Sequence, residues 1–507
     1  MNLGSLFQKS VSYAPQKLAI CQKDQRITYG QLADRTHRLK SLLLEQGLQQ
    51  GDKVLFLMLN DYRFAECLFA CMQLGIVPVP VNIKLSEYIV QFIAANSGAK
   101  WAICSDLFKY TTVAMVARSD NSLYGHWVLD EEDGYEQRLQ NSAPNTSVVS
   151  VTPTSTALMM YTSGSTGKPK GCLLGHHGTY WMVKRICHSF FLEDTDSALV
   201  VGPLYHANAL WCMFYPVLHT GGTLHIMSYF DAADTLRKIH ENRPTFLSGT
   251  PSMFSLMLAC KDEIKALKLD SLEFVLVGSA PITEKQLEAL QATFGCGIVE
   301  GYGSTEAGTA TLLPRWGIQR IGSIGLPLLD VAYSVMDTKS LKSVKKGETG
   351  ELWLKSPAMF LGYHGQPKTF SEKFHQDWYR TGDLVMEDAD GYLFFKGRTD
   401  DMINCGGENI YPKEVTNLLL QHERVSAAEV VAVPHKIKGM APVAWVKLKP
   451  NTKLTEMDLK TFTIDNGPAY AHPRRVFFTD DFPLNGTNKI DYGQLREMTK
   501  LKLPEGL

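Results

Sequence analysis

From Val54 onward, short β-rich apolar runs alternate with stretches of helical period. VLFLML (54–59) is followed by AECLFACMQLG (65–75), PVPVN (78–82), a helix over about 86–97 and WAIC (101–104). This is the cadence of a parallel α/β sheet. A polar stretch, 140–157, has little periodicity and reads as a connection. The alternation then resumes with ALVVG (198–202), a helix from about 207, TLHIM (223–227), a helix from 231, TFLSG (245–249), PSMFSLMLAC (251–260), FVLVG (274–278), a helix over 283–294 and IVEGYG (298–303). Its strands end in glycines, which predicts binding loops at their C-terminal edge.

After about residue 320 the pattern changes. GETGELWLKSPAMFLGY (347–363) and GYLFFKGR (391–398) carry Gly-bounded alternating strands of an antiparallel or barrel-like unit. The last hundred residues or so have a smaller cadence: helix near 412–422, strands near 428–433 and 443–448, helix near 456–466, strand near 475–479. The expected architecture is α/β: a large N-terminal portion over 1–399, made of two α/β subdomains plus a small β-barrel, then a smaller mobile α+β C-terminal domain over 400–507.

Composition narrows the function classes. With 51 Lys+Arg against 52 Asp+Glu the net charge is −1, so no global field gathers nucleic acid or anionic lipid. A charged partner is therefore expected to be small and held by local groups. The ten cysteines are scattered through apolar segments without a paired framework, as in a reducing compartment. Cys67 and Cys71, four apart on a predicted helix, have no second ligand pair nearby and read as core. The N-terminus lacks a continuous apolar targeting region, and the run 54–59 is too short to span a bilayer. A soluble cytoplasmic protein with neither membrane nor nucleic-acid partner is expected, as a monomer or homodimer.

The strongest chemical signal is YTSGSTGKPKG (161–171), directly after the apolar LMM (158–160). Glycines let backbone N–H groups turn toward an anion, hydroxyls add donors, and lysine brings a mobile positive charge. The segment reads as a phosphate cradle. It lacks the Walker spacing, because Gly164 and Gly167 are too close and Pro169 biases Lys168 away from helix.

YTSGSTGKPKG resembles the signature of the adenylate-forming superfamily, which includes acyl-CoA synthetases, peptide-synthetase adenylation domains and beetle luciferases. EGYGSTEAG (300–308), YRTGDL (379–384), GRTDDMINCGGENIYPKEV (398–415) and PLNGTNKID (483–491) are similar to the later motifs of that superfamily, in its order. The resemblance covers essentially the whole chain and is closest to the acyl-CoA ligases. It implies ATP, magnesium and coenzyme A: a carboxylic acid is activated as acyl-AMP with release of pyrophosphate, then passed to coenzyme A. The alternative acceptor is the phosphopantetheine arm of an acyl carrier protein.

The resemblance also implies residue roles. Thr162, Ser163, Gly164, Ser165, Thr166, Gly167 and Lys168 would close on the β- and γ-phosphates, with Lys170 a further contributor. Glu306 would be the magnesium-associated carboxylate, Tyr302 would stack on adenine and Thr305 would lie near the α-phosphate, within the nucleotide-binding run Gly301, Tyr302, Gly303, Ser304 and Thr305. Gly278, Ser279 and Ala280 would border adenine and the acyl pocket. Asp383 would accept from the ribose hydroxyls, helped by Arg398, a sound use of an acceptor-only carboxylate.

Lys489 would bridge the substrate carboxylate and an α-phosphate oxygen, orienting two anions that repel each other. It follows Asn488, where relatives usually have glycine. Asp400 occupies the hinge position. Gly406, Gly407, Glu408 and Asn409 resemble the face that admits the pantetheine arm, Gly407 being small enough to line a tunnel. Arg474 and Arg475 either meet the coenzyme A phosphates or form a solvated basic pair. In PLYHANALWCMF (203–214) His206 matches the wall between acyl tunnel and thiol entrance, and Ala209-Leu210-Trp211 stands where amino-acid-specific relatives carry an aspartate. An α-amino acid substrate is thereby disfavoured. Asn208 and His206 could meet a polar substituent, and Trp211, Met213 and Phe214 read as pocket lining or as core.

Overall fold

The computed structural model describes the chain except residues 132–133, 163–168, 279–281, 283, 317, 400, 406–407 and 486–489, together with the side chains at 404, 408 and 409. It divides into two compact units, Met1–Ala332 with Leu354–Tyr379, and Tyr333–Trp353 with Arg380–Leu507.

In the first unit the apolar runs from Val54 onward become a wholly parallel four-stranded sheet. Its order is Val77–Pro80, Lys53–Leu57, Trp101–Cys104, Gly125–Val128. The second block becomes the centre of a nine-stranded sheet, with Gly297–Ser304, Phe274–Val277, Phe246–Gly249, Ser197–Val200 and Thr223–Ile226 as successive parallel neighbours. Strands such as Phe246–Gly249 and Phe274–Val277 are buried at every position, as expected where both faces of a parallel sheet are covered.

One part of this sheet comes from a segment without a clear signal. Leu18–Gln22 and Gln25–Thr28 form a hairpin that extends the sheet, Ile20 facing Leu224 and Cys21 facing His225. Gln25, Arg26 and Thr28 give the outer strand a polar sequence, so the apolar cadence is visible only from Val54. The helix that follows, Tyr29–Glu45, starts with a capping box between Thr28 and Gln31.

Helix Arg63–Gln73 is buried along its whole length, and Cys67 and Cys71 are fully buried free thiols, in accord with the core reading. From this helix Phe64 and Phe69 reach Phe214 at ring-centroid distances of 6.1 and 5.8 Å. An apolar helix that also carries Glu66 must satisfy a buried carboxylate. Glu66 is 1 % exposed and accepts from the Arg35 guanidinium, with Nη2 at 2.8 Å, and from the Tyr135 hydroxyl, while Arg35 also binds Glu136.

In the second unit, residues 383–387 pair antiparallel with Leu393–Arg398, as the alternating pattern predicts. A further sheet runs in the order Glu408–Ile410, Ile403–Cys405, Gly439–Leu448, Val425–His435, and Arg475–Phe478 joins it parallel to Gly439–Leu448. Helices Pro412–Leu420 and Glu456–Asn466 match the predicted ones. A further helix, Tyr492–Lys502, adds Thr499, whose hydroxyl accepts from the buried Trp445 indole at 2.8 Å. Among the described residues no helix is long and apolar enough to cross a membrane.

The Glu66 cluster generates a stability prediction. Glu66→Ala removes one partner from a buried charge pair and strands the Tyr135 hydroxyl, so a loss of about 3–5 kcal/mol is expected. A lowered urea midpoint for the first unfolding transition measures it, and an unchanged midpoint would refute the role.

Candidate functional site

The glycine- and hydroxyl-rich segment 161–171 starts and finishes on two antiparallel strands, Thr156–Thr162 and Lys170–Gly175, in which Thr162 faces Lys170. Residues 163–168, Ser163 to Lys168, lie outside the described residues; the stem is described. The Thr162 hydroxyl stands 3.9 Å from the Cys172 sulfur, and Lys170 Nζ sits 5.3 Å from the centre of the Tyr363 ring. Tyr363 comes from the short strand Gly362–Tyr363 that pairs with the hairpin, Tyr363 opposite Cys172.

The same tyrosine fixes Glu306. Strand Gly297–Ser304 turns back into Gly308–Leu312, with Ser304 facing Gly308 and a register shift after Tyr302. The turn is tight enough that a Cβ at Gly303 would lie 2.3 Å from the Gly308 carbonyl oxygen, which leaves room for glycine alone. Ser304 Oγ accepts from Ala307 N at 3.1 Å, closing the turn around Thr305 and Glu306. The Glu306 backbone oxygen accepts from Phe360 N at 2.8 Å, and Oε1 accepts from the Tyr363 hydroxyl at 2.8 Å. Burial, and then the Glu306 charge, push the Tyr363 phenol well above its ordinary range, so it stays a donor. Tyr379 is raised by burial and then by Glu306, Tyr363 and Tyr302, which puts all four groups in one neighbourhood. Gly301 faces Leu312 and Tyr302 faces Thr311 across this hairpin, both half-buried as Thr305 is. The sequence reading took FLGY as plain strand; only the pairing reveals that Tyr363 serves the acidic turn.

Neighbouring strand ends carry the second group. Gly278 follows Phe274–Val277; Ser279 and Ala280 lie outside the described residues. Asn208 Nδ2 lies 3.0 Å from where a Cβ on Gly278 would stand, and Asn208 Oδ1 accepts from the buried Ser248 hydroxyl at 2.7 Å. His206 caps the one-turn helix Ala207–Ala209, its Nδ1 accepting from Asn208 N at 3.4 Å. The chain continues into a π-helical turn, Leu210–Phe214, a form that often marks functional positions. Within it Phe214 belongs to the aromatic core, and the buried Trp211 indole N–H has no hydrogen-bond partner among the described residues.

The loop bearing His206 hangs on a residue without a motif. Asn60, 5 % exposed, donates to the carbonyls of Gly202 and Met227 and accepts from Leu204 N at 2.8 Å. Its side chain thus ties the end of one sheet to two strand ends of the other. A single polar residue closing the apolar run 54–59 was its only sequence trace.

In the second unit, Asp383 and Arg398 face each other across paired strands, with Arg398 Nη1 3.3 Å from Asp383 Oδ1. Asp383 is 7 % exposed. The turn before it is held by Glu351, 2 % exposed, which accepts from the Trp353 indole, from Arg380 and from Gly382 N. Gly382 has φ +74°, a conformation that suits glycine. Thr399 closes the far side by donating to the Gly382 carbonyl. Glu351 was missed because ELW reads as an ordinary strand. Arg474, half-buried, donates to the carbonyls of His472 and Tyr470 and approaches Cys405 Sγ at 3.8 Å. Lys489, Asn488, Asp400, Gly406 and Gly407 lie outside the described residues, as do the side chains of Glu408 and Asn409.

Among the described residues no group of three or more His, Cys, Asp or Glu gathers as a ready-made metal cage. Glu306, a half-buried carboxylate with one oxygen already taken by Tyr363, suits an octahedral magnesium ion that draws its other ligands from phosphate and water.

The family model of the AMP-binding enzyme matches residues 7–364, and that of the AMP-binding enzyme C-terminal domain matches 414–489. A feruloyl-CoA synthase from Amycolatopsis sp. is 33% identical over 498 residues, covering 97% of this chain and 98% of its own. The crystal structure of ATP-bound MatB from Rhodopseudomonas palustris superposes with a TM-score of 0.91 at 25% identity, over 99% of each chain. The o-succinylbenzoate CoA synthetase MenE of Bacillus subtilis, in complex with its acyl-adenylate intermediate, gives 0.84 at 25% identity over 97% of this chain and 98% of that one. Both the matched span and the near full-length likeness lead to one assignment: the chain belongs to the AMP-binding enzyme family.

Proposed function

We propose that the chain is an AMP-forming acyl-CoA ligase. The observation that carries this reading is the fixed acidic turn: Glu306 held by Tyr363 beside Lys170, at the stem of a glycine- and hydroxyl-rich loop. An oxygen of the substrate carboxylate attacks the α-phosphorus of ATP, the bond from that phosphorus to the pyrophosphate oxygen breaks, and acyl-AMP forms. The sulfur of coenzyme A, having given up its proton, then attacks the acyl carbon and AMP leaves with the bonding pair. Coenzyme A is favoured over a carrier protein as acceptor by the full-length likeness to coenzyme A ligases.

In this mechanism Thr162 and the loop Ser163, Gly164, Ser165, Thr166, Gly167 and Lys168 wrap the leaving phosphates. Glu306 would hold magnesium, which supplies charge neutralisation on the phosphates when bound. Tyr302 stacks on adenine, with Gly278, Ser279 and Ala280 at its border; Gly301, Gly303, Ser304 and Thr305 line the approach to the α-phosphate. Asp383 takes the ribose hydroxyls and Arg398 steadies that carboxylate, a role supported by their cross-strand pairing. Lys489 aligns the two reacting anions. His206 walls the acyl group from the thiol entrance and Gly407 admits the pantetheine arm as residues 400–507 move. The free, mostly buried cysteines suit a cytoplasmic setting.

Pyrophosphate release across a library of carboxylic acids, with and without coenzyme A, tests the reading. Coenzyme A-dependent AMP formation is expected for at least one acid class, and none across a broad panel overturns it. Lys489→Ala should lower adenylation by about a hundredfold or more while largely sparing transfer from preformed acyl-AMP. Equal loss in both half-reactions would sink that role. Gly407→Leu should do the reverse, blocking thioester formation with pyrophosphate release intact. Glu306→Gln should raise the magnesium concentration needed for half-maximal pyrophosphate release, an effect a purely structural carboxylate would not give.

A further inference from the structure

The polar side chain of Asn208 occupies a position where three parallel strands end. Phe246–Gly249, Phe274–Val277 and Gly297–Ser304 are consecutive neighbours, with Gly249 facing Val277 and Val277 facing Glu300. In open α/β sheets the carboxyl ends of such strands form the ligand crevice. Ser248 lies in the first strand and is fully buried; its hydroxyl donates to Asn208 Oδ1 at 2.7 Å. In the structure the amide oxygen faces Ser248 and the NH2 group faces Gly278. A Cβ at Gly278 would meet only Asn208 Nδ2, at 3.0 Å, and the Gly301 carbonyl oxygen, at 3.9 Å. The NH2 group has no hydrogen-bond acceptor among the described residues. One turn further along, the Trp211 indole N–H is buried without an acceptor among the described residues. The buried indole donor is costly unless something supplies an acceptor, and the half-buried Asn208 leaves its NH2 group accessible to one.

We infer that Asn208 is a specificity-determining residue that reads a hydrogen-bond-accepting oxygen on the acyl group, an ether, ketone or hydroxyl oxygen set back from the reacting carboxylate. This rests on the acyl-CoA ligase reading and deepens it by naming the substrate class. Ser248 acts as the positioning residue, since it touches only the amide oxygen and leaves both N–H bonds for the ligand. A fixed amide of this kind favours an acceptor over an isosteric methylene, because binding the methylene leaves the donor dry and unpaired.

The test uses the full chain with ATP, magnesium and coenzyme A, and acids matched in size: methoxy- against ethyl-substituted benzoates and cinnamates, and oxo-alkanoates against the parent alkanoates. In the pair supporting the fastest pyrophosphate release, the oxygen-bearing acid is expected to lead in kcat/KM by about ten- to a hundredfold. Asn208→Leu should erase that lead, kcat/KM for the oxygen-bearing acid falling about ten- to a hundredfold further than that for its apolar partner. Asn208→Asp, nearly isosteric, should move the preference toward acids carrying an amino or ammonium donor, and it serves where the leucine variant folds poorly. Ser248→Ala should reduce the lead without abolishing it. Equal kcat/KM within every matched pair, or a lead that survives both Asn208 substitutions, overturns the assignment while the ligase reading stands. Absence of pyrophosphate from every acid overturns the ligase reading and this assignment with it.

Discussion

The hydrogen bond from Tyr363 to Glu306 is the interaction on which the proposed chemistry turns. It joins a three-stranded antiparallel sheet, which bears the stem of the proposed phosphate loop, to the hairpin at the end of a parallel sheet, which carries the acidic turn. Without it a half-buried carboxylate would have a choice of rotamers, and its separation from the loop stem would vary with each. The phenol suits the task because burial and the adjacent negative charge keep its proton in place. Phe360 reinforces the link from the backbone, so one short segment, 360–363, fixes both ends of the glutamate.

The same economy operates in the second unit with different groups. Glu351 gathers an indole, a guanidinium and a backbone N–H, and the turn that results presents Asp383 opposite Arg398. Both carboxylates of functional interest are thus held through neighbours that never need to meet a substrate. This is the arrangement expected where orientation rather than proton transfer limits a reaction between anions.

Much of the fold was legible in the sequence because parallel strands buried on both faces must be continuously apolar. FVLV and WAIC have no other comfortable conformation, and each fell within a residue of its predicted place. The outer strand Gln25–Thr28 was silent for the opposite reason: exposed on one side, it needs no apolar run. The candidate site carries a sequence signal where the proposed chemistry demands unusual residue types, as in 161–171 and 300–308. It was illegible where the work is done by an ordinary residue reached through tertiary pairing. Tyr363 and Asn60 owe their meaning to partners far along the chain, and Glu351 owes its own to Arg380 and Gly382 as well as to nearby Trp353. Arg474 likewise braces two backbone carbonyls that its local sequence does not announce.

The way the chain visits its units bears on how it is made. The second unit takes Tyr333–Trp353, yields the chain back to the first for Leu354–Tyr379, and then resumes from Arg380 to the end. During synthesis from the N-terminus the first unit therefore lacks its closing strand, and Glu306 lacks Tyr363, until a piece of the second unit has already emerged. The acidic turn spends that interval as an unsupported hairpin with a partly buried charge. Nascent chains halted between residues 332 and 379 should thus be the species most in need of protection from self-association.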